Sequence, residues 1–125
     1  MKNHRILIWV FFGFFLLACS DKYDSADNGF DKICLIYSDV MNNPAHTNRP
    51  NIEKLVLISE TVEAHVRDVD AIAAYTAVAS ADPEKKYDLF KQAAEYSLKR
   101  EWDCKTIQEL QLTEISLAHS GGCPA

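Results

Sequence analysis

The chain has 125 residues, 18 of them acidic against 13 basic, for a net charge of −5. That length suffices for one hydrophobic core and not for two. The acidic balance argues against nucleic acid as a partner, since such binding rests on lysine and arginine neutralising phosphates, and against docking onto anionic lipid heads.

The N-terminus has the three parts of an export signal. Met1-Lys2-Asn3-His4-Arg5 is a short basic start, Ile6 to Leu17 is apolar apart from Gly13, and Ala18 is small. A membrane-spanning helix needs about 20 apolar residues, so this run is too short to be one. The stretch Leu16-Leu17-Ala18-Cys19 resembles the lipobox of bacterial lipoproteins. That resemblance implies that residues 1–18 are a signal peptide cut off before Cys19. It also implies that the Cys19 sulfur carries diacylglycerol as a thioether, and that the new amine can take a further acyl chain such as palmitate. Each buried methylene is worth about 0.8 kcal/mol and one chain holds only marginally, so two or three chains anchor stably. Ser20 follows the cysteine where Asp would be the inner-membrane retention signal of enteric bacteria, which implies the outer membrane, with the domain facing the periplasm. Cleavage removes Lys2 and Arg5 and no acidic residue, so the net charge falls from −5 to −7. Such a surface is well solvated, and its membrane contact is expected through the lipid alone.

Residues 19–29 read as a lipidated tether: Asp21, Asp24 and Asp27 stand among serines with little apolar content, and Gly29 closes the stretch. Residues 30–125 read as one small helical domain. Phe30, Ile33, Tyr37 and Val40 fall at helical spacing, with Cys34 and Met41 beside them, and predict a first helix over 30–41. Asn42-Asn43-Pro44 stops it, and a loop with His46 runs to Pro50. Ile52, Leu55, Ser59, Val62 and Val66 mark one face of a second helix over 51–66, widened by Leu57 and Ile58. A third helix over 68–80 can be capped by Asp68. Its many alanines let neighbours approach closely, which suggests a central position.

Asp82-Pro83-Glu84 is a strong start signal for a fourth helix over 83–100: a capping Asp, Pro in the first turn and an acid at the positive dipole end. Tyr87, Phe90, Ala94 and Leu98 form its apolar stripe, and Glu95 and Lys99 are spaced to pair. Asp103 can cap a short fifth helix through Ile107 and Leu110. Residues 113–118 either extend it or drape over the core, and residues 119–125 read as a mobile tail. No alternating strand pattern or hairpin turn occurs. The expected class is all-α, an irregular bundle of four to five helices stapled by a disulfide.

Four cysteines are present. With Cys19 taken by lipid, three remain in an oxidising compartment where disulfides persist. Cys34 lies beside the first helix's apolar stripe and Cys104 at the corner after Trp102, so these two are expected to pair, with Cys123 joined to either of them as the rival, since sequence alone does not fix connectivity. In the expected pairing Cys123 is left over, as a free or intermolecular thiol. The absence of Cys-x-x-Cys disfavours a redox site or a zinc ribbon. His119 and Cys123 have the spacing of a metal pair, but two ligands do not make a site, so neither metal nor cofactor is expected. Carboxylates cluster at Asp68 and Asp70, Asp82 and Glu84, and Glu101 and Asp103, each at a helix boundary where capping accounts for them. There is no nucleophile elbow or phosphate loop. Tyr37, Tyr75, Tyr87, Phe90 and Trp102 fit core positions better than a ligand cage.

The run Tyr87-Asp88-Leu89-Phe90-Lys91-Gln92-Ala93-Ala94-Glu95, followed by Trp102-Asp103-Cys104, resembles a group of short exported proteins of proteobacteria, in which an aromatic-rich helix leads to a Trp-x-Cys corner. Proline often follows that corner in the group; here Lys105 stands there. The resemblance implies a helical architecture and lends no catalytic residue. Together these readings lead to a non-catalytic interaction module, tethered through Cys19 and expected to hold an envelope protein. An immunity or inhibitor lipoprotein, a small-ligand carrier using a cavity between helices, and an envelope enzyme are the alternatives.

Overall fold

The computed structural model describes residues 22–120, with side chains through Leu112. Among the described residues the chain forms five α-helices and no strand. They are α1 (Gly29–Asn42), α2 (Asn51–His65), α3 (Val69–Ala79), α4 (Lys86–Leu98) and α5 (Lys105–Ser120), with a 3₁₀ turn at Pro44–His46. None of these helices is long and apolar enough to cross a membrane.

Helix α1 is the centre of the bundle. Phe30, Ile33 and Ile36 are fully buried and Val40 nearly so, and α2, α3 and α5 all pack on it. Its start is capped by Asn28, whose side chain accepts the Asp31 amide at 2.9 Å and donates to the Asp31 carboxylate at 2.7 Å. Its end is set by Asn43, held extended as a residue before proline must be. The central place expected for α3 therefore belongs to α1. Small side chains permit close approach but bury little, and in α3 only Ala71 is buried while Val69 is 79% exposed. Helix α3 instead lies along α4.

Helix α2 buries Val62 and Ile58 as its pattern suggested, but its inward face is rotated away from Ile52. Lys54, Ile58 and Val62 are buried, whereas Ile52 is 68% exposed. In the run Leu55-Val56-Leu57-Ile58 every residue is apolar, so periodicity alone cannot choose a face there. Lys54 fits an inward position because its long methylene stem is apolar.

Asp68 holds two helix starts at once. Its carboxylate accepts the amides of Asp70 at 3.0 Å and Ala71 at 3.2 Å, capping α3 as expected. Its other oxygen accepts the Gly29 amide at 3.1 Å, an otherwise unpaired donor at the start of α1. The two helix starts meet here with no room between them. A Cβ on Gly29 would press on the Asp68 Cβ and come within 2.7 Å of the Ala71 Cβ. Replacing a helical glycine by alanine ordinarily gains about 0.5–1 kcal/mol. Gly29→Ala should instead destabilise the domain, by about 1–3 kcal/mol for overpacking. A denaturation midpoint that rises or stays put would show that α1 and α3 do not meet so closely.

Residues 22–28 correct part of the tether expectation. They run in turns against the bundle, and Tyr23 is a core residue, 5% exposed, with its ring edge-on to His65 at 5.1 Å. Its hydroxyl donates to Asp39 at 3.0 Å, and Lys22 Nζ reaches the same carboxylate oxygen at 2.8 Å. The Lys22 hydrogen bond, together with that of Tyr23, holds the Asp39 carboxyl below its usual range against the opposing effect of burial. A single tyrosine in a polar stretch carries no periodicity, which is why the segment reads as solvated.

The fourth and fifth helices also differ at their ends. Asp82-Pro83-Glu84 forms a separate turn, closed by the Lys85 amide on the Asp82 carbonyl at 2.9 Å. Helix α4 starts only at Lys86, without a side-chain cap of its own. Gln111 of α5 supplies one: its carbonyl oxygen accepts the Tyr87 amide, and its amide donates to the Glu84 carbonyl at 3.1 Å. At the other end Lys99 takes a left-handed conformation (φ 57°) that closes the helix. Its ammonium lies 4.2 Å from the Tyr96 ring centre, and Glu95 pairs with Lys91 at 3.8 Å instead. Helix α5 is longer than the short helix expected and continues through 113–118 to Ser120. The start of the expected mobile tail, 119–120, is therefore helical, while 121–125 lie outside the described residues.

Candidate functional site

The corner between α4 and α5 is tied down by a disulfide and several hydrogen bonds. Cys34 and Cys104 form a disulfide, with Cα atoms 5.8 Å apart, so the expected staple is present. Cys104 is 2% exposed, and its amide donates to the Tyr87 hydroxyl at 3.1 Å. That hydroxyl donates in turn to Asp103 at 2.6 Å. Burial, with the Asp103 hydrogen bond beside it, pushes the Tyr87 phenol above its ordinary range, so the donor stays protonated. Asp103 is thus engaged by Tyr87 rather than by the start of α5.

Trp102 completes the corner. It is 2% exposed, and its indole N–H donates to Asp31 at 2.9 Å. Arg100 pairs with the other oxygen of the same carboxylate, also at 2.9 Å. Phe90 stands between Phe30 and Trp102, with ring centres at 5.5 and 5.4 Å. Such tilted and edge-on contacts suit the ring quadrupoles.

Beside this corner the five helices leave a cleft of about 250 Å³. Helix α1 contributes Ile33 and Tyr37, α2 Leu55 and Ser59, and α3 Tyr75, Val78 and Ala79. Helix α4 adds Lys86, Tyr87 and Phe90, and α5 adds Ile107, Leu110 and Gln111. The lining is mostly apolar with a few polar groups, the general make-up of a small-molecule site. Tyr37 and Tyr75, both expected to be spent on core packing, are half-buried and line it. The cleft leaves no mark on any single helix, because it exists only where five of them diverge.

The other expected site residues fall out as follows. Cys19 and Cys123 lie outside the described residues, and with the His119 side chain undescribed the pair His119 and Cys123 falls outside them as a metal site. His46 sits in the 3₁₀ turn and His65 ends α2. Among the described residues no three His, Cys, Asp or Glu side chains come together as a metal site. The paired carboxylates serve the scaffold: Asp68 caps, Asp70 accepts the Ser97 hydroxyl at 3.1 Å, and Asp82 pairs with Lys85 at 3.7 Å. Compared with known proteins, the chain matches no family model, no curated protein and no solved structure.

Proposed function

We propose that the chain is a lipid-anchored protein on the periplasmic face of the outer membrane that holds a small ligand without converting it. The anchor reading is supported by the lipobox-like Leu16-Leu17-Ala18-Cys19 after an export-type signal. The carrier reading is supported by one observation, the mostly apolar cleft lined by all five helices. Among the described residues, Asp68 serves as a cap and Cys34 and Cys104 form the staple.

A protein-interaction module, including an immunity or inhibitor lipoprotein, is the second reading. It is favoured by Ile52 and Val56, one turn apart on α2 and 68% and 52% exposed. Apolar side chains adjacent on an open face are what an interface core requires.

Two measurements test these readings. Cys19→Ala should abolish labelling by radioactive fatty acid and release the protein from the membrane, and undiminished labelling would sink the anchor. Native mass spectrometry of the gently extracted full chain should show a retained small molecule. Ligand-free protein that brings down one stoichiometric envelope protein would replace the carrier reading with the second one.

A further inference from the structure

The cleft's lining is electrostatically one-sided. The chain carries 18 acidic residues, yet among the described residues the cleft is lined by one lysine, Lys86, and by no Asp or Glu. Lys86 stands in the first turn of α4, at the positive end of that helix, and is half-buried. Among the described residues no carboxylate pairs with it, and the Ser59 and Tyr75 hydroxyls, also in the lining, make no hydrogen bond. Of the other polar groups in the lining, the Gln111 side chain is committed to the start of α4 and the Tyr87 hydroxyl to Asp103. A half-buried ammonium and two open hydroxyls in a mostly apolar lining call for an acceptor-rich anionic head on an apolar body. The floor is Ile33, Leu55, Val78, Phe90 and Leu110.

The volume sets the size of that body. An apolar cavity of about 150 Å³ accommodates benzene. In proportion, the 250 Å³ found here takes about ten carbon atoms. Resting on the carrier reading above, we infer that the ligand is a medium-chain monocarboxylate of about ten carbons, its carboxylate at Lys86 and its chain along the floor. An ammonium–carboxylate contact in such a site is worth about tenfold in affinity. A cationic amphiphile of equal length is excluded by the same lysine.

The test uses the full chain in phospholipid nanodiscs, with decanoate carrying a ¹³C carboxyl group as the probe. Decanol and decyltrimethylammonium are run in parallel. Ser59→Phe, whose ring fills the cleft, subtracts partitioning into lipid, and circular dichroism checks its fold. One decanoate per chain should bind to the wild type, decanol about tenfold more weakly and the cation not at all. Lys86→Gln, which leaves the floor intact, should bind decanoate and decanol alike. Equal binding of decanoate and decanol by the wild type overturns the anionic head and leaves the carrier reading standing. Decanoate signals identical in wild type, Ser59→Phe and empty discs overturn the inference. The carrier reading falls with it only if native mass spectrometry also finds the chain empty.

Discussion

Loss of the Cys34–Cys104 bridge should lower the unfolding free energy by about 4 kcal/mol. The bridge spans 70 residues and ties the middle of α1 to the start of α5. Cross-linking so long a loop restricts the unfolded chain severely, and the chain-entropy relation gives the figure above. A small domain has about 5–15 kcal/mol in total, so the change is a large fraction of it. The measurement compares denaturation of the oxidised protein with that of Cys34→Ser/Cys104→Ser. Both cysteines are removed together, which avoids leaving one thiol free to pair elsewhere. Peptide mapping without reduction should return a linked 34–104 peptide. A linked peptide containing Cys123 with either partner, or an unchanged midpoint in the double variant, would refute the staple.

The second large effect is expected at Phe90, which is 3% exposed between Phe30 and Trp102. Phe90→Ala removes the middle ring of three and opens a void against α1, the centre of the bundle. Such a truncation costs about 3–5 kcal/mol, part for lost transfer and part for the cavity. Because Phe90 also lines the cleft, the void joins it rather than closing. The destabilisation should therefore come with a pocket that admits a bulkier ligand. A midpoint unchanged within error would mean that the ring faces solvent. Phe90→Leu, which keeps more of the volume, should recover part of the loss.

The fourth helix and the staple were legible in the sequence because each depends on local pattern. Tyr87, Phe90 and Ala94 repeat at helical spacing and are all buried. Cys34 lies beside a helical stripe and Cys104 at a tryptophan corner, two fixed places that face each other once the helices pack. What stayed hidden depends on partners distant in sequence. Gln111 caps a helix that begins 25 residues earlier. Asp103, well placed to cap α5, is claimed by Tyr87. Nothing local distinguishes Tyr23 from the polar residues around it, yet Asp39 and His65 hold it in the core. The cleft is hidden for the same reason, since its lining draws two or three residues from each helix.

The attachment of Lys22 and Tyr23 to Asp39 bears on how far the protein can stand off from its membrane. With the lipid on Cys19 as proposed, only Ser20 and Asp21 lie between the anchor and the first attached residue. An extended chain covers at most about 3.6 Å per residue, so those three steps span about 11 Å. A leash that short leaves the domain free to swivel but not to roam. On that proposal the face bearing Asp39 would stay close to the lipid whatever the domain's rotation. On the carrier reading proposed above, a ligand would then be exchanged at the bilayer surface rather than carried away from it.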